Sequence, residues 1–257
     1  MKKKPLILVS NDDGTSAKGI QSLVSFIKDM GEVVVVAPDS PQSGMGHAIT
    51  IGNTIRLDRT DIFGDIEAYE CSGTPADCVK LAKHHVLRDR KPDLVLSGIN
   101  HGSNSSVSVL YSGTMSAAIE AALEGLPAIG FSLCDYEHNA DFEPTMQFVR
   151  QIVANALEKG LPKNIALNVN FPAVPEDQIR GIRVCRQAHA RWQEEFEQRK
   201  DPRGRDYFWL TGNFINLDKG GDTDEDALKA NYVSIVPVTF DLTAYSALSR
   251  IQNDFVK

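Results

Sequence analysis

Uninterrupted apolar runs alternate with stretches of helical spacing along most of this chain. Residues 6–9 (LILV) form the first run, and the β-branched EVVVVAPD at 32–39 forms the second. Between them Ile20, Leu23, Val24 and Ile27 recur at three- and four-residue intervals, and Gly31 ends the pattern. Runs without alternation mark strands buried on both faces, and the spacing between them marks an amphipathic helix. A strand–helix–strand unit therefore opens the chain.

The alternation returns after an interruption. AITIG, TIRLD and IEAYECSG, within residues 48–73, read as short strands of a side ribbon, because no helix separates them. Residues 74–87 read as a helix: Thr74 can cap it, Pro75 suits its first turn and Asp77 favours its positive end. Strands follow at 93–100, 127–134 and 164–172, with helices at 112–125 and 145–160 between them. This order predicts an α/β fold, a doubly wound, mostly parallel sheet with helices on both faces. Beyond about residue 186 the pattern degrades. The charged stretch 191–206 reads as a solvated arm or loop, and 232–251 as a strand and a terminal helix.

Composition narrows the class without changing the fold. At 257 residues the chain suits one large α/β domain or two small ones, and a net charge of -7 argues against a protein that grips nucleic-acid duplex along its phosphates. The basic start Met1-Lys2-Lys3-Lys4 is broken by Asn11-Asp12-Asp13 before any cleavage-like segment, and no run reaches the length of a membrane span. Cys71, Cys78, Cys134 and Cys185 lack zinc-ligand spacing. A reduced, cytoplasmic protein is expected.

In a parallel sheet the carboxyl ends of the strands line one edge, where ligands bind. That edge would collect Asn11, Asp12 and Asp13 from the first strand, Asp39 and the loop SPQSGMGHAIT from the second, and Ser97, Asn100 and the loop HGSNSSVSVLYSGT from a later one. The set is rich in oxygen and poor in His and Cys, which suits Mg²⁺ or Mn²⁺. The loops SGMGH and YSGT offer close backbone approach, and the second opens a helix whose N-terminus favours an anion. A cation beside an anion pocket points to phosphate chemistry. Each piece also has a plain reading: Asp12-Asp13 as a helix cap, Asn100 as a turn residue, His47 and His101 as solvated loop histidines.

Five motifs occur in order: ILVSNDDG, APDSPQSGMGHAIT, CSGTPADCV, SGINHGSN and YSGTMSAAIE. With NVNFP and the later GGDTDEDAL and YVSIVPV, they make the chain similar to the SurE family over essentially its whole length. The resemblance implies a nucleotidase that removes phosphate from nucleoside 5′- and 3′-monophosphates, with short polyphosphate as a further substrate. It implies one divalent ion per subunit, Mg²⁺ or Mn²⁺, held by Asp12, Asp13, Ser43 and Asn100. Asp12 and Asp13 would be the catalytic pair, and Ser43, Gly44, Asn104, Ser112, Gly113 and Thr114 would face the phosphate. It also implies a single domain over residues 1–257, with a core to about 186 and a C-terminal region exchanged between subunits of a homodimer or homotetramer. A non-catalytic nucleotide-binding protein on the same fold is the alternative. One departure stands out: many members carry NLGxDVxYSGT where this chain has NSSVSVLYSGT, so that Ser105, Ser106 and Ser108 replace Leu, Gly and Asp. That loop is expected to rim the pocket and to affect substrate choice.

Overall fold

A computed structural model describes residues 4–137 and 139–256; the basic start at Met1, Lys2 and Lys3 lies outside them. The apolar runs become the centre of a nine-stranded sheet. β1 (Leu6–Ser10) pairs in parallel with β2 (Glu32–Pro38) on one side and, on the other, with β5 (Leu94–His101). β6 (Ala128–Leu133) and β7 (Ala166–Phe171) continue in parallel beyond β5.

Alternate residues of β1 serve opposite layers, as a strand buried on both faces requires. Ile7 and Val9 pack with Ile20, Leu23 and Ile27 of α1 (Lys18–Ile27) and with Val149 and Val153 of α4 (Met146–Lys159). Leu6 and Leu8 pack with Cys78 and Val79 of α2 (Pro75–Leu81) and with Met115 and Ala118 of α3 (Gly113–Leu123). The doubly wound arrangement read from the sequence is therefore the observed one.

The middle of the chain departs from the sequence reading. AITIG forms no strand, and no side ribbon forms there. Instead β4 (Glu67–Cys71) adds in parallel to β2, and β3 (Leu57–Arg59) closes that edge antiparallel to β4. The path through 40–56 wraps the strand ends without a helix, which a periodicity argument cannot distinguish from a ribbon. α2 begins as expected: Thr74 and Asp77 form a reciprocal capping box behind Pro75. Its C-terminal continuation, Ala82–Leu87, winds as a wider turn that carries His84 and His85.

The C-terminal third also differs. The charged stretch is no loop: β9 (Ala190–Lys200) and β10 (Asp206–Asn216) form a two-stranded antiparallel ribbon. Its register puts Trp192 opposite Phe214, Glu194 opposite Gly212 and Phe196 opposite Leu210, so this face is apolar around a single carboxylate, Glu194. A loop reading fails there because Trp192 and Phe196 share one strand face amid abundant charge and pair with the apolar stretch Tyr207 to Leu210 and Phe214 on the other strand. β8 (Ile182–Val184), α5 (Asp224–Lys229) and β11 (Val233–Val238) return the chain to the main sheet, where β11 runs antiparallel to β7 and parallel to β8. The expected terminal helix is α6 (Leu248–Phe255), with Leu248, Ile251 and Phe255 all exposed. Among the described residues no helix is long and apolar enough to cross a membrane, and all four cysteines are free thiols.

Candidate active site

β1 ends in the two carboxylates and immediately turns. Asn11 Nδ2 donates to the Gly14 carbonyl (2.9 Å), and the Thr15 N–H donates to Pro38 (3.0 Å), which ties the turn to the end of β2. Asp12 is thereby buried, and Asp13 is half-buried beside it. The N-terminus of α3 closes over Asp12 from the other side. The Thr114 hydroxyl donates to Asp12 Oδ1. A Cβ on Gly113 would sit 2.5 Å from Asp12 Cβ, so only glycine permits that approach. Ser112 caps α3, its hydroxyl accepting from the Met115 N–H at 3.0 Å.

Loop 40–50 lies against both partners. The Gln42 N–H donates to the Asp12 carbonyl (2.7 Å), and the Gly46 N–H donates to the Tyr111 carbonyl (3.2 Å). This places Ser43 and Gly44, both exposed, one and two residues beyond the contact with Asp12. Asn100 arrives from β5 through a register shift between Ser97 and Asn100. Gly98 takes φ +119° there, and a Cβ on it would lie 2.3 Å from the Phe131 carbonyl oxygen. Asn100 Nδ2 donates to the carbonyls of His101 (3.0 Å) and Gly102 (2.8 Å), which leaves Oδ1 as its open acceptor.

The electrostatics are unbalanced in one direction. Burial, then the adjacent Asp13, push the Asp12 carboxyl up to about 6, against hydrogen bonds from Thr114 and the main chain. Among the described residues no Lys or Arg pairs with either carboxylate; the His101 ring is the nearby basic side chain, its Nδ1 3.6 Å from Asp13 Oδ2. Asn11 Oδ1 is buried without a hydrogen-bond partner. No three His, Cys, Asp or Glu side chains among the described residues gather into a metal cluster, so any cation here rests on two carboxylates with amide and hydroxyl oxygens. That donor chemistry fits a hard divalent cation and disfavours zinc.

Of the residues named from the sequence, Asp12, Asp13, Gly113 and Thr114 meet directly or through the chain turn, and Ser43, Gly44 and Asn100 stand on segments that reach them. Asn104 is held differently. Its side-chain Nδ2 donates to Ser132 (2.8 Å), its N–H to Asn170 Oδ1 (2.8 Å), and its carbonyl accepts from Asn168 (2.8 Å), so it belongs to a buried amide network across β6 and β7. The two histidines read as solvated are also engaged. His47 Nε2 bonds Glu120 (2.8 Å), a buried carboxylate that Lys80 also meets at 2.6 Å. The His101 ring sits edge-on to Phe142. Neither contact has a local signal, since Glu120 lies 73 residues from His47.

The NSSVSV loop does more than rim the pocket. Ser106 is fully buried at φ +52°, a left-handed conformation that favours the glycine usual there. Its hydroxyl donates to the carbonyls of Ala188 (3.0 Å) and Ala190 (3.3 Å), and the Ser105 hydroxyl donates to Glu225. These bonds fasten the loop to the base of the β9–β10 ribbon and to α5, and they compensate the backbone strain.

Fold and site together define an α/β protein with an acidic strand end opposed to a glycine-opened helix N-terminus, an arrangement suited to a phosphoryl group beside a hard cation. The chain belongs to the SurE family: the family model described as survival protein SurE matches residues 7–194. A protein from Cytophaga hutchinsonii named 5′-nucleotidase SurE is 67% identical over 98% of this chain and 97% of its own. One of the same name from Bacteroides thetaiotaomicron is 49% identical over 97% of this chain and 95% of its own. Among solved structures, the SurE protein from Aquifex aeolicus superposes with a TM-score of 0.85 at 38% identity, covering 97% of this chain and 99% of that one.

Proposed function

We propose that the protein is a divalent-metal-dependent nucleotidase that hydrolyses nucleoside 5′-monophosphates, and 3′-monophosphates and short polyphosphate as further substrates. The observation that carries this reading is the buried Asp12 with half-buried Asp13, set against the N-terminus of α3 with no balancing Lys or Arg among the described residues. The name 5′-nucleotidase carried by relatives of high identity supports the substrate class.

A cation held by Asp12, Asp13, Ser43 and Asn100 would neutralise the pair and draw charge from a bound phosphoryl group. The chain's own groups do the rest. The main-chain N–H of Gly113, at the positive end of α3, has no helix partner and faces an anion favourably, while that of Thr114 is turned to the Asp12 carboxylate. Gly44 presents its backbone from the opposite loop. These donors hold the equatorial oxygens as charge develops on them. The Thr114 hydroxyl orients Asp12 through Oδ1, which leaves Oδ2 and the Asp13 carboxylate to receive the proton of the water that attacks phosphorus, while the ester P–O bond breaks and the nucleoside oxygen leaves with a proton from solvent as its hydroxyl.

The experiment is phosphate release from a panel of nucleoside 5′- and 3′-monophosphates with Mg²⁺, Mn²⁺ or EDTA. Release with metal and none in EDTA is the expected result. Nucleotide binding without release under any metal would make the protein a binding module on the same fold.

Asp12 also predicts how metal and pH combine. Its carboxyl moves from an ordinary 3.8 to about 6 in the metal-free fold, so between these values the native state holds more protons than the unfolded chain. Metal-free stability therefore falls as pH rises through that window, by about 3 kcal/mol in all at ~1.4 kcal/mol per unit. Bound cation offsets that loss. Mn²⁺ is expected to raise the Tm by on the order of 5 °C at pH 7.5. The gain should shrink toward pH 5 as protons compete for Asp12. Thermal scans across pH with and without Mn²⁺ check this, and a gain independent of pH would place the cation elsewhere.

We also place the protein in the cytoplasm as a homodimer or homotetramer exchanging its C-terminal region, residues 187–257. The free thiols support the first assignment. The exposed apolar residues of α6, Leu248, Ile251 and Phe255, support the second.

A further inference from the structure

We infer that the apolar face of the β9–β10 ribbon forms, with Tyr111, the cleft that receives the nucleobase, and that Glu194 selects bases presenting N–H donors, guanine foremost. The inference rests on the nucleotidase reading and names the specificity of that same site.

A cavity of about 480 Å³ opens between the site and the ribbon, lined by Gly44 and Tyr111 on one side and by Trp192, Glu194, Leu210 and Gly212 on the other. Gly44 belongs to both the proposed phosphate loop and this cavity, so the cavity adjoins the segment proposed to face the phosphate. No atom comes within 4 Å of where its Cβ would be. Tyr111 immediately precedes the Ser112 cap of α3 and is more than half exposed.

The ribbon wall is built for a flat, partly polar ligand. Trp192 is fixed edge-on against Phe214, ring centroids 5.5 Å apart, and still leaves 43% of its surface open. Gly212 stands opposite Glu194 in the register and adds no side chain, which leaves a gap between the Trp192–Phe214 and Phe196–Leu210 pairs with a carboxylate beside it. Aromatic rings stack on any base, and a carboxylate only accepts hydrogen bonds. Guanine places N1–H and N2–H side by side for such an acceptor. Adenine and cytosine set a ring acceptor beside their amino group, and uracil sets its one N–H between two carbonyls.

The wall is also held in place relative to the site. Asp224 accepts from the N–H groups of Ser106 (2.8 Å) and Ala188 (2.9 Å), and the Ser106 hydroxyl bonds the ribbon base directly. The loop so fastened ends at Tyr111, whose carbonyl accepts from Gly46. Ribbon, loop and phosphate segment thus form one hydrogen-bonded frame.

The test uses the full-length enzyme with Mn²⁺ and compares kcat/KM for GMP, UMP and ribose 5-phosphate, which lacks a base. Trp192→Ala should lower the GMP to ribose 5-phosphate ratio by on the order of tenfold, mainly through KM, with Trp192→Phe restoring most of it. Glu194→Gln should lower the GMP to UMP ratio by about tenfold. Ratios unchanged in both Trp192→Ala and Glu194→Gln would overturn the assignment. Binding is read separately. Trp192 and Trp209 are the two tryptophans of the chain, so Trp209→Phe leaves Trp192 as the sole emitter. Guanosine should then quench its emission saturably, and an emission indifferent to guanosine overturns the cleft whether or not phosphate is released. Quenching by guanosine in a protein that releases no phosphate would keep the cleft and refute the nucleotidase reading.

Discussion

Asp12→Asn is expected to reduce phosphate release by a hundredfold or more while leaving the protein folded. The side chain lies between Asp13, the Thr114 hydroxyl and the backbone of Gly113, where an amide of the same shape fits. What the substitution removes is one of the two charges that would hold a cation, and one of the two proton acceptors. The same geometry predicts an opposite effect on stability. In wild type without metal, the buried charge beside Asp13 is unfavourable at neutral pH, which is why the carboxyl is raised to about 6. Asn carries no charge to desolvate, so in EDTA at pH 7.5 the variant should melt at or above the wild-type temperature. At pH 5 the two should converge as Asp12 protonates. Steady-state phosphate release in metal-limited buffer and thermal scans in EDTA measure the two halves. Turnover within a few fold of wild type would remove Asp12 from the machinery.

Asp224→Ala should produce the largest loss of stability among single changes outside the core. The carboxylate is fully buried and accepts from Ser106, Ala188 and Glu225 main-chain N–H groups, two of them on distant segments. Alanine leaves the Ser106 and Ala188 donors buried without partners, at about 1–3 kcal/mol each. The Tm should fall by on the order of 10 °C, at roughly 2–4 °C per kcal/mol for a chain of this size. Asp224→Asn keeps one acceptor and should fall between. Because these bonds join the active-site loop to the ribbon, protease cleavage within 190–216 should quicken as well. A melting point within 2 °C of wild type would mean that another contact holds the ribbon base.

Much of the molecule was legible residue by residue. Leu6 to Val9 and Val33 to Ala37 could only be strands covered on both faces, and Ile20, Leu23, Val24 and Ile27 could only be the inner stripe of a helix. Thr74, Pro75 and Asp77 announced the start of α2 because capping is a three-residue event. The ribbon was the clearest miss: Trp192 and Phe196 stand four apart with Gln193, Glu194 and Glu195 between them, and Leu210 and Phe214 likewise with Thr211, Gly212 and Asn213, so no two-residue alternation shows. Asn104 was assigned to the phosphate by its place in a motif; its side-chain amide donates to Ser132 and its main-chain N–H to Asn170, both on other strands.

The sequence by itself determined the five central parallel strands, the helical layers on their two faces and the strand end where Asp12 and Asp13 meet, since burial on a repeating backbone imposes a period that neighbouring residues must share. The tertiary structure alone decided that Asp12 is buried and raised in pKa, that Ser106 reaches Asp224 across 118 residues, and that the ribbon faces Tyr111. Those outcomes depend on hydrogen bonds and desolvation between segments far apart in the chain, and such partners leave no periodic trace in it.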